Sequence, residues 1–113
     1  MREFLRSKIH KAKITIADTN YVGSIGIDKD LVEKAGFKNG EKVLVADNSN
    51  GQRLETYIIE EEAGSGKIAM YGAAARIMKK GDEVIIMGFE LSEDLVKPKI
   101  ILLDDDNKFL KYL

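Results

Sequence analysis

Few residues in this chain have side chains suited to chemistry, and most of them stand alone. The one histidine, His10, lies between Ile9 and Lys11. A lone histidine cannot build a histidine metal cluster or an H-E-x-x-H pair, so by itself it reads as a structural hydrogen-bonding residue. There is no cysteine, which removes thiol catalysis, thiolate metal sites and disulfides. Gly64-Ser65-Gly66 lacks the later glycine and the Lys-Ser/Thr of a phosphate loop and reads as a turn. The acidic runs Glu60-Glu61-Glu62 and Asp104-Asp105-Asp106 lack the alternating oxygen ligands and closing glutamate of a calcium loop. They read as solvated turns, and no metal is expected. Gly23-Ser24, after Tyr21-Val22, taken alone reads as a bend within a strand.

The 113 residues suffice for one compact domain with its own core. Hydrophobic residues make up 44% and charged residues 33%, an ordinary balance for a globular protein. Eighteen basic residues against nineteen acidic ones leave a net charge of −1, without the basic excess of a nucleic-acid-binding domain. No apolar run approaches the roughly 18 residues of a membrane helix. Met1 to Lys8 carries scattered charge and no apolar stretch, unlike a secretory signal. The expectation is a cytoplasmic, soluble, single-domain protein with no nucleic-acid or membrane partner.

Period-two alternation dominates, which is the strand signal. Ala12, Ile14 and Ile16 share one face of a strand over 11–16, with Lys13 and Thr15 on the other. Lys42 to Ala46 reads as a strand buried on both faces. Asp47 to Gly51 is a hairpin loop rich in residues that tolerate a left-handed backbone, and Gln52 to Glu60 returns as the partner. Further strands are expected over 67–71, 83–89 and 99–103, with a turn at Asp104 to Asn107 before the last segment. Helix is scarce. Asp28 as N-cap, apolar Leu31, Val32 and Ala35, and a stop at Gly36 define one short helix. A second helical turn can follow Gly72 through Ile77. Short strands with frequent turns suggest a small barrel or sandwich. Read this far, the chain is a β-rich domain of open function.

Four segments taken together say more: Lys8-Ile9-His10, then Asn20 to Ile25, then Asn50 to Tyr57, then Gly72-Ala73-Ala74-Ala75-Arg76. In this order and spacing, over Met1 to about Pro98, the chain resembles the bacterial aspartate 1-decarboxylases that supply β-alanine for pantothenate. The resemblance implies a mainly β fold, a six-stranded double-psi β-barrel with one or two short helices. It also implies a homotetramer with active sites between subunits and, in some relatives, a helper protein for maturation.

It further implies a proenzyme that cuts itself between Gly23 and Ser24, leaving residues 1–23 and 24–113 as two chains. The Ser24 hydroxyl attacks the carbonyl of Gly23, where glycine shields least and permits strained geometry. Elimination and hydrolysis then turn Ser24 into an N-terminal pyruvoyl group, with no metal and no pyridoxal phosphate. Its ketone forms a Schiff base with L-aspartate and serves as an electron sink for loss of the α-carboxylate. Tyr57 matches the proton donor; a free phenol, with a pKa of about 10, carries a proton at neutral pH. Arg53 and Lys8 match the carboxylate-binding positions, the guanidinium fork being suited to two oxygens at once. Thr56 and the Gly72-Ala73-Ala74 backbone match substrate-binding positions, His10, Tyr21 and Ile85 match supporting ones, and Tyr71 occupies a further supporting position.

Strand alternation puts Arg53, Glu55 and Tyr57 on one face, with Arg53 and Tyr57 roughly 13 Å apart, and Thr56 on the opposite face. A twist, or a site shared between subunits, is needed to bring Thr56 and Tyr57 together. The chain departs from the family at Tyr71, where an asparagine is usual. A tyrosine is bulkier and lacks the amide's paired donor and acceptor. Two other readings stand beside this one: an uncleaved barrel serving as a non-catalytic oligomeric binding module, and a decarboxylase of a related amino acid in which Tyr71 reshapes the pocket.

Overall fold

A computed structural model describes residues 1–113. Its strands are β1 (Arg2–Lys13), β2 (Ile16–Asp18), β3 (Ser24–Asp28), β4 (Lys42–Asp47), β5 (Arg53–Glu61), β6 (Ile68–Tyr71), β7 (Glu83–Ser92), β8 (Lys99–Leu103) and β9 (Phe109–Tyr112). A helix α1 (Lys29–Ala35) and a 3-10 turn (Gly72–Arg76) complete the chain. The mainly β expectation with short helices holds, but nine strands replace six, for two reasons.

The first is that β2 continues β1 around a bend. The Ile14 amide donates to the Asp82 carbonyl at 2.9 Å and the Thr15 amide to the Ile68 carbonyl at 2.8 Å. One strand thus leaves β7 on one side and joins β6 on the other. The hydrogen-bonded order β2-β6-β3-β5-β4-β7-β1 therefore closes into a barrel of six strand positions. The second reason is an appended hairpin. β8 runs parallel to β1 at Ser7 to His10, and β9 pairs antiparallel with β8.

Ile9 and Ile14 of the bent strand, Ile25 and Ile27 of β3, Ile58 of β5, Ile68 and Met70 of β6 and Ile86 of β7 fill the barrel, each at most 2% exposed. Burying one such side chain contributes about 1.5–3 kcal/mol. β4 alternates buried and half-buried residues from Val43 to Asp47, so the expectation of burial on both faces is corrected. The first strand starts at Arg2 rather than at Lys11. Its register slips between Leu5 and Ser7 and between Ile9 and Ala12, and Lys11 takes a left-handed φ of 65°.

α1 forms where its caps foretell. The Asp28 carboxylate accepts the Asp30 amide at 2.9 Å, and Gly36 closes the helix at φ 79°. Asp28 also accepts the amides of Gly64 at 3.0 Å and Gly66 at 2.9 Å. Asn107 donates from Nδ2 to the carbonyls of Lys13 and Gly66 at 2.8 and 2.9 Å. These bonds fix the turn from which β6 departs, and β6 leads directly into the candidate site.

Candidate functional site

Ser24 is the first residue of β3 and is fully buried. The turn before it, Thr19 to Gly23, lies outside the sheet, so the Gly23–Ser24 peptide spans the junction of turn and strand. The Ser24 hydroxyl donates to the Val22 carbonyl at 3.3 Å, which leaves the lone pairs of Oγ unengaged by that bond. Across the sheet Ser24 pairs with Tyr71 of β6. On its other side Ile25 pairs in parallel with Ile58, and carrying that register back one residue sets Ser24 beside Tyr57. The serine therefore stands opposite Tyr71 and one residue before the point at which β3 joins β5 next to Tyr57.

Gly72 closes this arrangement from behind. Its φ is +70°, a left-handed value that favours glycine. A Cβ there would lie 2.7 Å from Gly23 Cα and 3.2 Å from the Tyr21 carbonyl oxygen. The backbone of 72 thus packs directly on the backbone of 21–23.

A cleft of about 450 Å³ opens beside this junction. Gly23, Thr56, Tyr57, Tyr71, Ala73 and Ala74 line it, together with Leu54, Glu55 and Ile77. Alternation along β5 is as expected, with Arg53, Glu55 and Tyr57 exposed and Leu54 and Thr56 half-buried. Thr56 and Tyr57 nevertheless meet the same cleft within one chain, so no subunit sharing is required to unite these two. The reason lies in the pairing: β5 is bonded to β4 from Arg53 to Tyr57, whereas β3 joins its other edge only from Ile58. The stretch before Ile58 is a free edge, and an edge presents both faces of its strand to the space beside it.

Tyr71 is 8% exposed and its hydroxyl donates to Glu61 Oε2 at 2.8 Å. Glu61 Oε1 lies 3.4 Å from Lys67 Nζ. The Glu61 carboxylate rests on Gly26, where any Cβ would collide with it. Burial pushes the Tyr71 phenol above its ordinary range, and the hydrogen bond and negative charge of Glu61 add to the shift. Burial works against the Lys67 ammonium, yet the charge of Glu61 and the Tyr71 oxygen outweigh it, and its pKa is raised. The Tyr71 ring also packs on Tyr21, with centroids 4.6 Å apart and planes tilted by 44°.

Ser24, Gly72 and Tyr21 adjoin the cleft without lining it, and four further expected site residues, Lys8, Arg53, His10 and Ile85, stand outside it. Arg53 opposes Ala46, which opposes Ile85; Glu55 opposes Leu44, then Met87, then Lys8. Lys8 is thus three strands, or roughly 14 Å, from Glu55 along the outer sheet face. His10 sits at the β1 bulge with Nδ1 buried and lacking any hydrogen-bond partner, which corrects the expectation of a structural hydrogen bond. Burial lowers its pKa, Lys8 and Lys11 lower it further, and Glu83 opposes them. No cation lines the cleft; its one charged residue is Glu55, which is ion-paired to Lys42 at 3.0 Å.

The acidic runs bind within the chain. Glu61 holds Tyr71 and Lys67, Asp104 accepts the amides of Asp106 and Lys108, and Asp105 pairs with Lys13. Sequence reading took Glu61 only as part of a solvated acidic run and did not single out Lys67, because the contact of Glu61 with Tyr71 spans ten residues and forms only on folding.

A self-closed six-position β-barrel with an exposed glycine and a buried serine meeting beside an open strand edge defines a class; comparison with known proteins specifies it. The family model described as aspartate decarboxylase matches residues 1–110. The aspartate 1-decarboxylase of Thermosipho africanus is 54% identical over 109 residues, covering 95% of this chain and 91% of that protein. That of Caldicellulosiruptor saccharolyticus is 51% identical over 113 residues, covering 96% and 88%. That of Bacillus thuringiensis is 47% identical over 116 residues, covering 99% and 91%. The chain belongs to the aspartate decarboxylase family, and its barrel is of the double-psi type. No helix is long and apolar enough to cross a membrane.

Proposed function

We propose that this chain is the proenzyme of a pyruvoyl-dependent aspartate 1-decarboxylase that converts L-aspartate to β-alanine and carbon dioxide. The observation that carries the reading is the buried Ser24 hydroxyl at a turn–strand junction whose Gly23 side opens on the cleft. Family membership favours it over an uncleaved binding module.

Maturation uses atoms of the chain and water. Ser24 Oγ bonds to the Gly23 carbonyl carbon, the Gly23–Ser24 amide bond breaks, and the hydroxyl proton passes to the Ser24 nitrogen. The resulting ester loses the Ser24 Cα proton, and the Cβ–Oγ bond breaks to release the carboxylate of Gly23. Water then replaces the nitrogen, ammonia departs, and a ketone remains at residue 24. Two features suit the residues to that group. Ser24 is shut from bulk water, and the backbone of 72 can pack closely on Gly23 because residue 72 has no Cβ.

A pyruvoyl group supplies a ketone that takes up an amine and accepts the electrons left when a carboxylate departs. Around it Tyr57, one strand from Ser24, holds its phenol proton for the carbon that loses the carboxylate. The Thr56 hydroxyl and the backbone of Ala73 and Ala74 lie across the cleft and orient the substrate. Since no cation lines the cleft, the carboxylates of aspartate need one from its rim or beyond. Arg53 is the near candidate; Lys8 and His10 would reach it from a neighbouring subunit of a homotetramer, with Ile85 beside them. Tyr21 and Tyr71 flank the junction. A cytoplasmic setting, and a helper protein for maturation, belong to the same reading.

The test is release of labelled carbon dioxide from aspartate carrying label in the α-carboxylate, with β-alanine measured in parallel and glutamate as competitor substrate. Stoichiometric β-alanine from aspartate, with little turnover of glutamate, is the expected result. A cleaved protein that leaves aspartate untouched would refute it.

A further inference from the structure

Lys67, Glu61, Tyr71 and Tyr21 form one continuous chain of contacts that ends at the scissile turn. Lys67 faces one oxygen of the Glu61 carboxylate at 3.4 Å, and the Tyr71 hydroxyl donates to the other at 2.8 Å. Glu61 has little freedom, for it lies on Gly26 with its side chain 16% exposed. Its two oxygens thereby fix the Tyr71 phenol at its far end, while the backbone of Tyr71 is fixed at the near end by pairing with Ser24. A ring held at both ends is a rigid surface. Tyr21 packs on that surface at 4.6 Å, and the Tyr71 carbonyl oxygen lies 3.9 Å from where a Cβ of Gly23 would be.

We propose that Tyr71, anchored by Glu61 and Lys67, is a positioning residue for self-cleavage: it braces the Tyr21–Gly23 turn so that the Gly23 carbonyl stays presented to Ser24 Oγ. The inference rests on the self-cleavage reading above. Tyr21 is 56% exposed and Val22 69% exposed, so little else packs on the turn from the solvent side. Without the brace the turn samples many conformations, and the attack requires one of them. Tyr71 touches neither reacting atom; its effect passes through Tyr21 and the backbone of Gly23. The phenol hydrogen bond is charge-assisted and largely shielded from water, which makes it one of the stronger kinds. Its loss therefore slows cleavage without abolishing it.

The experiment follows conversion of freshly made proenzyme to the two fragments by intact mass, under one buffer and temperature, for the full chain and five variants. Tyr71→Phe keeps the ring and loses the anchor, and cleavage is expected to slow about tenfold. Glu61→Gln keeps an acceptor but loses its charge, so it should slow cleavage by less, and the double variant should be no slower than Tyr71→Phe alone, since without the phenol hydroxyl no bond is left for the charge to strengthen. Lys67→Arg should cleave as the unaltered chain does, and Lys67→Met should be slower. Thermal melts identify any variant that is slow merely because it is unfolded; a rate counts only where the melt is cooperative. Folded Tyr71→Phe and Glu61→Gln proteins that cleave at the unaltered rate overturn the brace while leaving self-cleavage intact. Strictly multiplicative slowing in the double variant also overturns it. An unaltered chain that never cleaves overturns the brace and the self-cleavage reading together.

Discussion

Gly72 lies against Gly23 so closely that the smallest side chain at 72 would bring a carbon to within 2.7 Å of Gly23 Cα. The contact joins two segments that meet only through folding. It also explains why a left-handed residue follows β6 at this point. Gly72→Ala meets both a forbidden approach and a strained φ. We expect a loss of stability of about 1–3 kcal/mol, read as a lower melting temperature. In the folded fraction, splitting of the chain should be slowed or absent, because relief of the clash displaces Gly23.

Tyr57 carries a different expectation. It is 39% exposed and on the outward face of β5, so Tyr57→Phe should leave stability within about 0.5 kcal/mol. Cleavage should proceed, since the hydroxyl is not needed for Ser24 to attack. Turnover of aspartate per cleaved chain should fall by about 10²–10⁴-fold if the phenol delivers the proton. Steady-state kinetics on the mature two-chain form checks this; unchanged turnover would remove Tyr57 from that role.

Asp47 and Asp82 predict a pH dependence remote from the cleft. Asp47 is 2% exposed, its Oδ2 has no hydrogen-bond partner, and the carboxyl of Asp82 is the acidic group that acts on it. Burial raises the Asp47 pKa, and the bond to Asp82 raises it more, so the folded state favours the protonated form. The Asp82 carboxylate, accepting that proton and the Lys79 amide, is held low. A raised folded pKa gives stability that is complete below the unfolded carboxylate range and is lost as pH climbs through the folded value. Asp47→Asn supplies a permanent donor. It should stabilise the fold at neutral pH by about 1 kcal/mol and progressively less as pH falls into the carboxylate range. Denaturant melts across that range measure the crossing, and a constant difference at every pH would contradict the shared proton.

Asp28 joins the helix to the turn before β6 by accepting three amides, from Asp30, Gly64 and Gly66. Asp28→Ala removes a cap and leaves two further donors without a partner, at a cost of about 2–4 kcal/mol. Hydrogen exchange should then quicken first at Gly64 and Gly66.

How much of this was legible in the letters varies with the range of the interaction. α1 was readable because its signals are local: Asp28 bonds two residues on, and Gly36 takes the left-handed stop. The β4–β5 hairpin was readable for the same reason. The strand from Arg2 was missed because two register slips and a left-handed Lys11 break the alternation that marks a strand. The closure at Ile14 and Thr15 depends on partners at Asp82 and Ile68, which no periodicity encodes. At the site, four short segments pointed to Ser24 and to the cleft residues Thr56, Tyr57, Ala73 and Ala74. Alternation alone separated Thr56 from Tyr57, because the free edge of β5 is set by where β3 begins. Glu61 and Lys67 stayed hidden: each resembles any surface charge until Gly26 and Tyr71 fold against them.

The most direct measurement is intact mass spectrometry of the full chain and of Ser24→Ala after prolonged warming. The unaltered chain should yield fragments 1–23 and 24–113, with one water gained and one ammonia lost in total, and the larger fragment should react with a carbonyl reagent. Ser24→Ala should remain a single species. An unaltered chain that stays whole, or an alanine variant that parts at the same bond, would contradict the chemistry assigned to that buried hydroxyl.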